Sequence, residues 1–83
     1  MKPLQMLQFT HNGRTFEVRV ETRYTSFMIT VWEGARKVSP TDIFIDQRPV
    51  LEADARGEME TFFETEMQRV KHDVVSGHVT MLP

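Results

Sequence analysis

Cysteine is absent from this 83-residue chain, so neither a disulfide nor a thiolate metal site can brace its fold. Long apolar runs are missing too, and nothing approaches the roughly 20 consecutive apolar residues of a membrane-spanning helix. The stretch Met1-Lys2-Pro3-Leu4-Gln5-Met6-Leu7 is interrupted by Gln5 and followed by Gln8. It lacks the unbroken apolar core and small-residue cleavage site of a signal peptide, which makes a cytoplasmic location the expectation. Glycine and proline are scarce, four of each, as suits a folded rather than a low-complexity chain. No cysteine nucleophile, Gly-rich phosphate loop or Gly-x-Ser-x-Gly elbow occurs, so no catalytic residue, cofactor or metal ligand is assigned. Charge of one sign does not dominate: residues 1–48 carry +2 and residues 49–83 carry −4, for a net −2. That asymmetry is too mild to name a partner.

The length suits a single domain, 1–83, and the 40% of hydrophobic residues suffice for one core. A chain this short buries only about 60–65% of the surface its unfolded form exposes. Small domains commonly compensate with disulfides, a metal or a partner subunit. Without cysteine, tight packing and oligomerisation become the expected sources of stability.

Asn12-Gly13 is the strongest local signal. Both residues tolerate positive φ, as a two-residue type I′ hairpin turn requires. A turn there pairs Thr10 with Thr15, Phe9 with Phe16, Gln8 with Glu17 and Leu7 with Val18, apolar against apolar. Phe16, Val18 and Val20 alternate with polar residues, and Ser26-Phe27-Met28-Ile29-Thr30-Val31-Trp32 forms a second run. A turn centred on Arg23-Tyr24 pairs Val20 with Phe27, Val18 with Ile29 and Phe16 with Val31. Leu7, Phe9, Phe16, Val18, Val20, Phe27, Ile29 and Val31 then share one face. Gly34-Ala35 turns the chain again and sets Val38 opposite Val31, with Pro40 ending a short edge strand.

Ser39-Pro40-Thr41-Asp42 resembles a helix start, whereas Ile43-Phe44-Ile45 equally reads as a short strand. The expectation for Ser39 to Val50 is a helical turn or irregular segment against the core. From Val50 to Val75 the period lengthens to about 3.6, and Ala55, Met59, Phe62, Phe63, Met67, Val70 and Val74 form one stripe. Gly57 interrupts it, so the continuous helix is expected to begin there, with Pro49 to Arg56 as a turn or separate piece. Ser76-Gly77 supplies a stop. The tail His78-Val79-Thr80-Met81-Leu82 alternates weakly and suits a last strand, in its own chain or a neighbour's. The expected fold is therefore α+β: a three- to four-stranded antiparallel meander with one C-terminal amphipathic helix packed on one face.

The uncovered face is where a function is expected. The expected register puts Met6, Arg19 and Met28 in one row, with Gln8, Glu17 and Thr30 in the next and Trp32 beyond. Tryptophan, methionine and arginine are residue types that anchor interfaces. The leading expectation is a small non-catalytic interaction or regulatory module, self-associating as a homodimer or docking a protein partner through Trp32, Met28, Met6 and Arg19. A second reading is single-stranded nucleic-acid binding around Trp32, with Arg36 and Lys37 as the basic patch. It is opposed by the lack of further aromatics and by the near-neutral face. A third is a small enzyme or metal protein built on His72, Asp73 and His78, or on Glu60 and Glu64. Neither grouping has the spacing of a metal motif, and both suit solvated helix surfaces.

Overall fold

The computed structural model describes residues 3–40 and 42–83. Met1, Lys2 and Thr41 lie outside the described residues, and with them part of the N-terminal stretch and of the Ser39–Asp42 helix start considered above.

Strands β1 (Gln5–His11) and β2 (Arg14–Arg23) form the first hairpin. Asn12 and Gly13 adopt φ of 52° and 75°, the two positive values the turn demands. Pairing runs without interruption from Gln5↔Val20 to His11↔Arg14 and includes all four expected pairs. Strand β3 (Ser26–Glu33) pairs with β2 in a register two residues away from the expected one. Val20 faces Ile29 rather than Phe27, Val18 faces Val31 rather than Ile29, and Thr22 faces Phe27. The cause is the turn, which sits one position later than expected, with Tyr24 at φ 59°. Left-handed backbone is costly for an aromatic L-residue, so no local side-chain signal marks this turn. An even slip keeps every side chain on its own face, and the expected apolar face survives intact.

The far side of β3 is occupied by two short strands. Strand β4 (Arg36–Lys37) pairs through Trp32↔Lys37 and Glu33↔Arg36. Strand β5 (Ile43–Ile45) pairs through Ile29↔Ile43, Met28↔Phe44 and Phe27↔Ile45. The chain bulges between them, where the N–H groups of Val38 and Ser39 both reach the Val31 carbonyl, at 2.9 and 3.2 Å. Ser39 Oγ accepts the Val31 N–H at 3.2 Å, so this serine serves the bulge and caps no helix. The expected helical turn or irregular segment is overturned across Ile43–Ile45. Unpaired backbone along β3 draws that tripeptide into the sheet, with Ile43 and Ile45 inward and Phe44 outward.

Helix α2 (Met59–Val75) is the expected continuous helix, and the separate piece before Gly57 is a helix of its own, α1 (Gln47–Ala55). Asp46 caps α1 by accepting the Arg48 N–H at 3.2 Å, and Pro49 falls in the first turn, where no intrahelical donor is needed. Gly57 at φ 71° separates the helices. The break resets the helical phase: Val50 and Ala53 point inward, and Ala55, expected in the stripe, is exposed. Phe63, Met67, Val70 and Val74 of α2 are buried as expected, with Met59 and Phe62 packed at the margin.

Helix α2 closes with Gly77 N–H on the Val74 carbonyl at 3.2 Å and His78 N–H on the Asp73 carbonyl at 2.9 Å. This is a Schellman stop, with Gly77 at φ 82°. The tail then returns along its own chain without forming a strand. Val79 and Met81 pack on the core, and Leu82 N–H bonds the Val38 carbonyl at 2.8 Å. The core lies between the sheet and the helices: Phe9 against Phe16 at 5.4 Å and Phe27 against Phe63 at 5.6 Å between ring centroids. Helix α2 lies over β1 and β2, α1 packs beside α2, and among the described residues the opposite face of the sheet carries no helix.

Candidate functional site

Alternation along β1, β2, β3 and β5 sends Met6, Glu17, Arg19, Met28, Thr30, Trp32 and Phe44 to the helix-free face. The observed register sets Met6 beside Arg19 and Arg19 beside Thr30. Glu17 stands next to Trp32, and Met28 is flanked by Glu21 and Phe44. The Arg19 guanidinium lies over the Trp32 ring, 4.5 Å from its centroid. It also donates from Nε and Nη2 to Glu17 Oε2 at 3.1 and 2.7 Å. Trp32 Nε1 donates to Thr30 Oγ1 at 2.9 Å, and Thr30 is buried. Two hydrogen bonds from Arg19 to Glu17 and one from Trp32 to Thr30 hold the guanidinium and the indole in register, so the geometry of the stack is set before anything binds.

Of the four interface candidates, the structure brings Arg19 and Trp32 into contact and leaves Met6 exposed, at 53% of its surface. Met28 is placed differently: it lies on this face, but only 5% of it reaches solvent, so it offers a partner little surface. The exposed apolar side chain of its row is Phe44, at 65%. Sequence reasoning missed Phe44 because the segment was expected to be irregular. The in-out-in alternation of Ile43-Phe44-Ile45 was the available signal. Leu4 and Tyr24 are also exposed and lie at the same end of the sheet. Arg36 and Lys37 form no common patch. They are successive strand residues on opposite faces, and they pair with Glu33 and Asp42 respectively.

On the helix side, the far end of the sheet is closed by an ionic cluster. Arg14 grips Glu33 in two bonds, Nε to Oε2 at 3.0 Å and Nη2 to Oε1 at 2.8 Å. Arg36 adds a third at 3.2 Å. Arg14 also holds the Leu82 carbonyl at 3.1 Å, and Arg36 holds that of Pro83, which straps the tail down. The hydrogen bond from Arg14 is the main cause that lowers the Glu33 pKa from its ordinary 4.5 to about 2; desolvation opposes it, and the Arg36 hydrogen bond adds to the lowering. The bond to Glu33 correspondingly raises Arg14.

An open cleft of about 240 Å³ lies beside this cluster, between the first turn and the tail. Its titratable lining is His11 and Arg14, and Arg14 is already committed to Glu33, so no acid–base pair faces the space. His72 contacts Asp73 at 3.7 Å, while His78 Nδ1 bonds Ser76 Oγ at 2.7 Å. Among the described residues, no group of three or more His, Asp or Glu side chains is placed to hold a metal ion. No helix among them is long and apolar enough to cross a membrane. Comparison with protein-family models, with curated proteins and with solved structures gave no match, so the functional reading rests on the geometry of this chain alone.

Proposed function

We propose that this protein is a non-catalytic interaction module that offers the helix-free face of its sheet to a partner protein. The observation that carries the reading is the Arg19–Trp32 stack, held by Glu17 and Thr30 and bordered by exposed Met6 and Phe44. Arginine and tryptophan dominate interface energetics when a partner desolvates them. A stack whose rotamers are already fixed loses little entropy on docking. Methionine and phenylalanine at its margin supply apolar area that water is readily displaced from. Single-stranded nucleic acid has less support: one face of the Trp32 ring is occupied by Arg19, and Arg36 and Lys37 are each engaged by a carboxylate.

The test is quantitative capture from native lysate after nuclease treatment, with wild type, Trp32→Ala and Phe44→Asp as parallel baits. A stoichiometric protein partner retained by wild type should be lost from both variants, each weakened by about 2 kcal/mol or more. Phe44 is exposed, so Phe44→Asp leaves the fold intact and separates docking from unfolding. A partner held equally by all three baits would refute this face as the docking surface.

A further inference from the structure

Among the described residues, strand β1 pairs with β2 alone, and its outer side is an open edge. It runs for seven residues in unbroken register, and no proline or bulge interrupts it. From Pro3 to Gly13 the sequence contains no Asp, Glu, Lys or Arg. Sheets that must stay unpaired usually carry one of these devices at an edge. The hairpin geometry also assigns the backbone. Residues flanking a two-residue turn bond across it, so His11, Phe9, Leu7 and Gln5 bond to β2, while the N–H and C=O groups of Met6, Gln8 and Thr10 point outward.

Helix α2 runs above this strand and in the same direction. Near its start the Glu60 carbonyl accepts Gln5 Nε2 at 3.0 Å, and further along Lys71 Nζ stands 6.0 Å from the Phe9 ring centroid. Glu60, Glu64, Gln68, Lys71 and Val75, spaced by three or four residues, therefore form the flank nearest the open edge. That flank is acidic at its beginning and basic at its end, and Val75 is 48% exposed. No ion pair among the described residues involves Glu60, Glu64 or Lys71.

We infer that two copies of this chain join through that edge, β1 against β1 in antiparallel register about a twofold axis at Gln8. Gln8 then meets Gln8 and Met6 meets Thr10, and these are the residues whose backbone groups point outward. Leu7 meets Phe9 on the core side, so inward and outward faces remain continuous across the axis. Strands lie about 4.8 Å apart, so a helix seated over the β1–β2 boundary stands about 10 Å from its symmetry mate, close to the usual packing distance. Three strand residues from Gln5 to Gln8 cover about 10 Å, or about seven helical residues beyond Glu60, which brings the axis close to Gln68. The two α2 helices thus run antiparallel, with Glu64 of each copy opposite Lys71 of the other. A foreign strand would satisfy the edge but not this charge pattern. The occupant is a second copy, and the helix-free face stays available to another partner.

Sedimentation velocity on the intact protein should show a dimer that dissociates on dilution. Glu64→Lys should raise the dissociation constant about tenfold or more, and the double variant Glu64→Lys/Lys71→Glu should return it to within about threefold of wild type. Circular dichroism spectra of both variants should match that of wild type. Because the chain has no cysteine, Gln8→Cys should cross-link across the axis on oxidation, well ahead of Thr15→Cys on the neighbouring strand. Phe44→Asp should leave the dimer unchanged, which keeps this test separate from that of the helix-free face. A monomeric mass up to about 100 µM, a Glu64→Lys variant that associates as tightly as wild type, or faster cross-linking of Thr15→Cys than of Gln8→Cys would each overturn the inference.

Discussion

The two edges of the sheet solve the same physical problem in opposite ways. Along the β4–β5 edge the strands are two and three residues long and are separated by a bulge that contains Pro40. Lys37 pairs with Asp42 across that interruption, and Ser39 turns its hydroxyl inward to receive the Val31 N–H. The segment between the two short strands bonds back to Val31, and a further strand finds only two- and three-residue ladders to join. Strand β1, seven residues long, has none of these devices. Its outward backbone groups are left to water or to another strand. The contrast teaches that edge chemistry, more than core composition, decides where a small sheet can be extended.

The sharpest test of that contrast is truncation. Val38 is fully buried behind the bulge, so Val38→Ala should cost about 2–3 kcal/mol in denaturant unfolding. The second largest effect is expected from Ser39→Ala. Removing the hydroxyl strips Val31 N–H of its acceptor in a buried site, at a cost of about 1–2 kcal/mol. Melting curves of the two variants should be compared with that of Gln8→Ala, for which a change within about 0.5 kcal/mol is expected when the protein is monomeric.

A smaller effect, dependent on pH, belongs to the cluster that straps the tail beside the interrupted edge. Folding lowers the Glu33 pKa from 4.5 to about 2, so between those values the unfolded chain binds more protons than the folded one. The contribution of this cluster is fully present above pH 4.5 and is lost as the pH falls towards 2. Glu33→Gln should flatten that part of the acid-unfolding profile and leave the neutral-to-alkaline part unchanged. The smallest change in intrinsic stability is expected from Gln8→Lys, within about 0.5 kcal/mol. The same substitution should nevertheless abolish any rise of melting temperature with protein concentration, because two lysines then meet at the axis. A concentration dependence that survives Gln8→Lys would show that the open edge is not the joint.

How much was legible varied with the kind of signal each segment carried. The first hairpin could be written down in full, since Asn12-Gly13 names its own turn type and leaves one register. The second could be read only to within an even slip. Tyr24 adopts a positive φ that its residue type does not announce, and alternation alone does not distinguish Ile29 from Phe27 as the partner of Val20. That slip mattered little for the core. It mattered more for the candidate surface, where it moved Met28 away from Arg19 and brought Trp32 beside Glu17. Ile43-Phe44-Ile45 is too short to declare itself. Three residues become a strand because β3 has an unpaired side, a fact that no local pattern contains.

By itself, the sequence determined the parity of the sheet, the buried stripe of Phe63, Met67, Val70 and Val74, the break at Gly57 and the stop at Gly77. These depend on period, on backbone conformations that favour glycine and on neighbours within a few residues, all of which a linear chain displays. Tertiary structure alone decided that Arg19 lies over Trp32, that Phe44 is the exposed apolar residue of its row, and that Arg14, Glu33 and Arg36 converge on the tail. Each of those arrangements joins residues from different strands or from the chain's far end. Their relative positions follow from which edge was free and how the faces packed, not from any spacing along the chain.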